Sequence, residues 1–341
     1  MARYAFSVSE FPSSPVAHSS LNGPRISISI VSYNTRELLR ACLGSLQARR
    51  GEIEFEIFVV DNGSRDGSVE MVLAEFPDVE IIEAGENLGY GRANNLALER
   101  ARGEFFWILN SDTEVFEGTM ARMAAFLDEN LGCGAVASRL ILPDGSTQHS
   151  CARDPNLLDY WWEQTYFAHL PLVGRFCGGY TYGGDFYERT QPIAQAAGAS
   201  ILCRTEALKS WGGFDPRYFM YFEDTDLCVR LRRAGWTLFY LHDAAITHHL
   251  GASSEGDFRV RARMVSALNA SRYLFFRAHK SALQAEILRW ICVLGALLRI
   301  AAWSAQAVRT RDLRKWQKVR LFARVLKNTL AITPHRAERG F

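Results

Sequence analysis

The chain has 341 residues, 48% of them hydrophobic and 22% charged, with a formal net charge of +2; it can bury one large core and is neither disordered nor fibrous. So small a net charge creates no global demand for nucleic acid. Seven cysteines, an odd total without a Cys-any-any-Cys pair, exclude a zinc ribbon and a disulfide framework and fit a reducing cytosol.

Residues 1–24 are rich in Ser and Pro, lack the apolar core of about 7 to 15 residues found in a signal peptide, and read as a loose tail. ISISIV (26–31) predicts a buried strand that stops at Ser32, Tyr33 and Asn34. Leu38, Leu39, Cys42, Leu43 and Leu46 then recur at helical spacing, with Asn34 and Glu37 set as cap and capping-box partner. The pattern repeats. FEIFVV (55–60) stops at Asp61, Asn62, Gly63 and Ser64 and leads to a helix near 68–76. VEII (79–82) leads to a helix near 90–101, which Gly103 stops before FFWIL (105–109). A helix over 119–129 precedes AVASRLIL (135–142) and the turn Pro143, Asp144, Gly145. Strands alternating with helices predict an α/β fold, a mostly parallel central sheet flanked by helices.

The middle, 146–195, reads as irregular and carries Tyr160, Trp161, Trp162, Tyr166, Phe167, Phe176, Tyr180, Tyr182, Phe186 and Tyr187. These aromatics either stack on sugar rings or a lipid or build core. GASILCR (198–204), a short helix, the loop Gly212 to Asp215, an amphipathic helix over 224–234 and an apolar strand over 244–246 follow. From 258 the chain reads as helices, and 287–308 is apolar apart from Arg289, Arg299 and a few small or polar residues. Ten Lys or Arg against Asp312 and Glu338 give 309–341 a local charge of +8.

Three apolar runs thus stop at polar residues, the third at Asn110, Ser111 and Asp112. Ligands of open α/β sheets sit at the carboxyl ends of the strands, so the three ends predict one composite site for a sugar nucleotide. Asp112 is either a ligand to Mn2+ or Mg2+, with Asn110 beside the phosphates, or the start of an Asx turn. Asp61 either accepts the N3 imide hydrogen of uracil or thymine or begins the Asn-Gly-Ser turn after it. Asn87, Gly89, Arg92 and Asn95 lead into a helix start that either receives an anion or is merely capped. Glu223, Asp224 and Asp226 crowd another helix start behind the apolar run Tyr218 to Phe222. There they serve the helix dipole or, with pKa values raised by one another and an apolar wall, supply a general base. Helical geometry sets Asp224 and Asp226 about 200° apart, so only one faces substrate. His248 is a metal ligand, in a mixed shell favouring Mn2+, or an ordinary hydrogen-bonded residue.

In this order, IVSYNT, VVDNGSRDGS, NLGYGRANN, LNSDTEV, GAS before GGFD, FEDTDLCVRLRRAGW and HHLGAS resemble glycosyltransferase family 2 over about 26–255. Within it the chain is most similar to bacterial rhamnosyltransferase-type enzymes that extend lipid-linked or cell-surface glycans. The resemblance implies a GT-A (nucleotide-diphospho-sugar transferase) fold over 25–255, with a nucleotide-sugar half (25–130), an acceptor and catalytic half (131–255), and a helical, basic C-terminal region (256–341). It implies an inverting, metal-dependent transferase using a nucleotide diphosphate-sugar, TDP-rhamnose ahead of a UDP-sugar, and a glycan or polyprenyl-linked acceptor. Ser32, Tyr33, Asn34, Asp61, Asn62, Asn87, Gly89, Arg92, Asn95, Asn110 and Ser111 would bind the donor. Asp112 and His248 would hold Mn2+ or Mg2+, and Asp224, beside Glu223, would be the base. Gly198, Ala199, Asp226, Trp161 and Trp162 would face the acceptor. Asn110 departs from the common Asp-any-Asp metal motif and leaves one charge fewer on the metal.

Two other functions compete: a sugar-nucleotide-binding protein without transferase activity, which would not need Glu223 and Asp224, and a sugar-1-phosphate nucleotidylyltransferase, which would carry a Gly-rich, Arg-containing loop where this chain has SYNTRE. The helix over 287–308 and its basic tail are expected on the anionic inner face of the bacterial cytoplasmic membrane. Its unbroken apolar stretch between Arg289 and Arg299 falls short of the ~20 residues of a span. A helical cap or dimer interface is the other reading, and the oligomeric state stays open.

Overall fold

The computed structural model describes residues 23–165, 180–250 and 258–333. Most of the expected N-terminal tail, Tyr166, Phe167, Phe176, Gly251, Ser253 and the last basic residues lie outside these.

The first half alternates as expected: β1 (Ile26–Ser32), α1 (Arg36–Gln47), β2 (Phe55–Asp61), α2 (Ser68–Glu75), β3 (Glu80–Glu83), α3 (Tyr90–Arg100) and β4 (Phe105–Asn110). β1 lies between β2 and β4, parallel to both, with Ser32 opposite Asp61 and Val31 opposite Asn110. The three polar strand ends therefore adjoin. The alternation in β1 fits a strand covered on both faces. Ile26, Ile28 and Ile30 enter one apolar cluster, while the buried Ser29 donates to Asn94 of α3 at 2.7 Å. Close approach there explains Gly103. It lies beyond the end of α3, and a Cβ on it would sit 2.5 Å from the Ser27 amide nitrogen.

Capping of α1 differs from the expectation. Thr35 holds the cap position without a side-chain hydrogen bond, Asp66 accepts from the Arg36 amide at 2.9 Å, and Glu37 pairs with Arg40. Asn34, left-handed at φ 54°, instead accepts from the Arg65 amide at 2.8 Å. A loop distant in sequence thus supplies the cap.

The second half comprises β5 (Thr113–Val115), α4 (Thr119–Glu129), β6 (Cys133–Ile141), β7 (Cys151–Ala152), α5 (Leu157–Thr165), β8 (Gln191–Pro192), β9 (Gln195–Ala196), β10 (Ser200–Arg204), α6 (Thr205–Lys209), α7 (Glu223–Arg233) and β11 (Thr237–His248). The nine-stranded sheet runs β3-β2-β1-β4-β10-β6-β11-β5, with β8 beside β11; β7 and β9 pair separately. β1 to β4, β6 and β11 point one way and β5, β8 and β10 the other, so the sheet is mostly parallel. The middle is less irregular than expected, because α5 lies within it. The strand expected over 244–246 extends to twelve residues; a register shift between Leu241 and Ala245 interrupts its alternation and hid its length.

The chain ends in α8 (Phe258–His279), α9 (Ala282–Thr310) and α10 (Leu313–Leu330). α9 is longer than the expected apolar segment, with 29 residues and a mean hydropathy of 1.7 over its best window. By length and composition alone it is apolar enough to cross a membrane, while the unbroken apolar stretch between Arg289 and Arg299 is as short as expected. One side packs on protein: Leu288, Ile291 and Cys292 join a cluster with Tyr160, Tyr218, Phe222 and Phe275, and a Cβ on Gly295 would lie 2.4 Å from Gln164 Oε1. Arg299 is absorbed by this contact, donating to Gln164 Oε1 at 3.0 Å. The other side exposes Leu283, Ile287, Trp290, Leu297, Leu298 and Val308.

Candidate functional site

At the ends of β1 and β2 lies a cavity of about 550 Å³ lined by Tyr33, Asn34, Asp61, Ser64, Arg65 and Asn87, among others. Asp61 is buried, and its Oδ2 accepts from the Gly63 and Ser64 amides at 3.1 and 3.0 Å. Its Oδ1 is buried with no hydrogen-bond partner among the described residues. The two readings of Asp61 are thus both met: one oxygen makes the turn, and the other is an unpaired acceptor of the kind a ligand N–H satisfies. Ser32, Thr35 and Ser111 form a chain of hydroxyls with 3.0 Å steps that ties the end of β1 to the loop after β4.

Several expected donor contacts brace loops instead. The Asn62 amide donates to Asn87 Oδ1 at 3.0 Å and accepts from the Leu88 amide at 2.9 Å. Asn87 also accepts from the Gly89 amide at 3.0 Å. Asn95 has its oxygen and its nitrogen taken by the backbone of Phe214, both at 2.8 Å. Arg92 Nε donates to the Pro216 carbonyl. Nor is the start of α3 open to an anion at Tyr90, whose amide donates to the Phe219 carbonyl at 3.2 Å. Gly89 permits that approach, since at φ +87° a Cβ would lie 2.0 Å from the same carbonyl oxygen. Asn62 and Asn87 brace their own turn, whereas Asn95, Arg92 and the Tyr90 amide are taken by the loop of 212–222, which lies across α3.

The β5–β11 pairing sets His248 opposite Thr113 and so beside Asp112, with Nε2 3.3 Å from Asp112 Oδ1 and 3.4 Å from the Asn110 amide nitrogen. Its other nitrogen, Nδ1, is 2.7 Å from Gln148 Oε1. An amide oxygen can only accept, so Nδ1 is the donor to Gln148, and in the neutral ring of that tautomer Nε2 has a lone pair on the side of Asp112. A carboxylate oxygen and an imidazole lone pair on the same side fit a divalent cation, and Gln148 is the kind of outer partner that orients a metal-binding histidine. Among the described residues no three His, Cys, Asp or Glu cluster as a complete cage; a diphosphate would have to complete the shell. Gln148 escaped the sequence reading because it lies 100 residues from its partner.

Glu223 and Asp224 open α7 immediately after Tyr221 and Phe222, both left-handed at φ 67°. Such non-glycine conformations cost about 1–3 kcal/mol each and persist only where packing enforces them. Here α8 does so: Ser271 donates to the Met220 carbonyl at 2.8 Å, and Phe222 packs on Phe275 with ring centres 5.3 Å apart. Asp224 Oδ2 accepts from the Gly198 amide at 2.9 Å and Oδ1 from the Thr225 amide at 2.7 Å. Burial raises its pKa, against the pull of these hydrogen bonds. Glu223 is raised too, by burial and then by the Asp224 charge, and its Oε2 is buried without a partner among the described residues.

The acceptor-side expectations divide. Gly198 and Ala199 form a junction: the Gly198 carbonyl accepts from the Tyr90 hydroxyl at 2.7 Å and that of Ala199 from the Asn110 amide at 3.0 Å. Asp226 is corrected to a structural role, since it is buried and paired with Arg230 at 2.7 Å and His279 at 2.6 Å. Trp161 packs against the cluster of Tyr160, Phe222 and Phe275, and Trp162 sits half-buried on the same helix. Tyr90 lies nearer the base: a Cβ on Gly198 would sit 3.3 Å from its ring and 3.4 Å from Asp224 Cβ. Burial first, and then the Glu223 charge, raise the Tyr90 pKa well above the usual tyrosine range. Through Gly198 and Ala199 the start of α7 and the end of β4 adjoin.

The sequence model described as "Glycosyl transferase family 2" matches residues 27–182. The N-acetylglucosaminyl-diphospho-decaprenol L-rhamnosyltransferase of Mycobacterium tuberculosis is 30% identical over 273 residues, covering 76% of this chain and 86% of the relative. An O-antigen biosynthesis protein of Myxococcus xanthus is 26% identical over 236 residues, covering 69% of this chain and 18% of that protein. Among solved structures, the mannosyltransferase PcManGT of Pyrobaculum calidifontis with GDP-Man and Mn2+ superposes at a TM-score of 0.52 and 18% identity, covering 90% of this chain and 86% of that one. GalNAc-T7 with UDP, GalNAc and Mn2+ superposes at 0.53 and 15% identity, covering 74% and 50%. These superpositions establish the fold as that of GT-A glycosyltransferases. With its ordered motifs, its sheet and a relative aligned along most of both chains, this protein belongs to glycosyltransferase family 2 and is a glycosyltransferase.

Proposed function

We propose that the enzyme moves a sugar from a nucleotide diphosphate-sugar, TDP-rhamnose ahead of a UDP-sugar, to a hydroxyl of a diphospho-lipid-linked acceptor, with inversion. The observation that carries this reading is the Gly198–Ala199 junction, where the Gly198 amide donates to Asp224 at 2.9 Å and the Ala199 carbonyl accepts from the backbone amide of Asn110, two residues before Asp112, at 3.0 Å. It sets a raised-pKa base close to a candidate metal ligand. In this reading Asp61 Oδ1 accepts the imide N–H that uracil and thymine share, Asp224 takes the proton of the attacking hydroxyl, and the Gly198 amide holds that carboxylate in place. A divalent cation on Asp112 and His248 would offset the negative charge that develops on the departing diphosphate. The M. tuberculosis relative, named for a rhamnosyl transfer to a lipid-diphosphate sugar, supports the choice of donor and acceptor, and the Mn2+ in the two solved structures supports the metal.

A donor screen tests this. Purified protein with Mn2+ or Mg2+ is expected to gain thermal stability from TDP-rhamnose or one UDP-sugar, and Asp61→Ala is expected to lose that gain. Stabilisation by GDP-mannose alone would sink the assignment of Asp61.

We further place the enzyme at the inner face of the cytoplasmic membrane. The exposed Leu283, Ile287, Trp290, Leu297 and Leu298 of α9 lie beside a C-terminal stretch rich in Lys and Arg, each worth about 1 kcal/mol near an anionic surface. Sedimentation with anionic liposomes at low salt is expected, weakening as salt rises. No sedimentation at any salt would end this reading.

A further inference from the structure

At the far end of α7 from Asp224 is a second cavity, of about 180 Å³. Its polar wall is Arg232, Arg233, His279, Lys280 and Asp154, so three cations face one carboxylate before His279 is considered. Of the three cations, only Arg232 has a carboxylate partner among the described residues. Arg232 pairs with Asp154 through one terminal nitrogen, yet its Nε is buried with no partner among the described residues. Arg233 donates only to a backbone carbonyl, that of His279, at 3.1 Å. The His279 side chain, 6% exposed, spends Nε2 on Asp226 at 2.6 Å, and its buried Nδ1 also lacks a partner among the described residues. A buried arginine N–H without an acceptor is costly, and an anion offsets that cost more completely than water.

We infer that this cavity is a binding site for a phosphate-class anion, held by Arg232, Arg233 and Lys280 and, when its ring carries both protons, by His279. It is separate from the donor site, since nine residues of helix between Asp224 and Arg233 span about 13 Å. That span leaves two sources for the anion. One is the diphosphate of the lipid-linked acceptor, whose sugar would reach back to Asp224, an assignment that rests on the proposed function. The other is free phosphate, which would brace α7 through His279 and Asp226.

The test uses the full chain, free of divalent metal, with inorganic phosphate and pyrophosphate at constant ionic strength. A saturable rise in Tm is expected, with affinity roughly tenfold or more weaker in Arg233→Gln and Lys280→Gln. Both side chains are exposed, so both variants should fold, and Lys280→Glu should abolish the response. No saturable rise in the wild type, or an equal rise in all variants, would overturn the site. Transfer kinetics then separate the sources. A KM for the lipid acceptor raised about tenfold in Arg233→Gln, with donor KM and kcat unchanged, assigns the anion to the acceptor's diphosphate; an unchanged acceptor KM assigns it to free phosphate.

Discussion

Asp224→Asn is expected to lower kcat by about 10²–10⁴-fold, the range of a lost general base, while leaving donor affinity intact. The asparagine keeps an oxygen for the Gly198 amide and so keeps the turn, but it cannot take a proton. The wild-type pH profile carries the same signature. Burial raises the pKa of Asp224, so the rate should fall as pH drops through a value above the usual ~3.9 of aspartate. Stability should move the other way. Asp224 and Glu223 both have raised pKa values in the folded chain, so the native state binds more protons between the unfolded and folded values, and stability grows as pH falls through that window. In the absence of metal, Glu223→Gln should therefore raise Tm most at alkaline pH and least at acid pH. Full turnover in Asp224→Asn would move the base elsewhere.

Asp112→Ala is expected to abolish metal-dependent binding of the donor, and Gln148→Ala to weaken metal affinity about 10–100-fold with Asp112 and His248 both in place. Titrating Mn2+ into protein with TDP or UDP by calorimetry reads both effects without turnover. The Gln148 variant is the sharper test, because it touches neither the proposed metal nor the donor. It acts only through the proton on His248 Nδ1, 2.7 Å away. Wild-type metal affinity in that variant would reduce Gln148 to a packing residue.

What could be read from the chain was local. β1, β2 and β4 announced themselves as apolar runs ending in polar residues, and their parallel pairing followed from the helices between them. The insertion of β10 between β4 and β6 left no such mark, because pairing between distant strands is decided by the shape of the finished core. Hence the Gly198 and Ala199 junction drew its expected role from resemblance rather than from spacing. The same limit applies to polar side chains. Asn95 and Arg92 have the composition of a binding loop, and only the path of the 212–222 loop across α3 shows them occupied. Asp226 differs from Asp224 by about 200° of helical rotation, which predicted divergent roles; which of the two faces inward depended on His279, 53 residues away.

The grip of α8 on the turn before α7 bears on how such enzymes can be cut and recombined. Ser271 on Met220, Phe275 on Phe222 and His279 on Asp226 make the helical region a brace for the base as well as a candidate anchor. A fragment ending after β11 would thus lose the candidate anchor together with the contacts that hold the turn before α7. Exchanging C-terminal helices between relatives to retarget them would carry catalytic rate along as an unintended passenger.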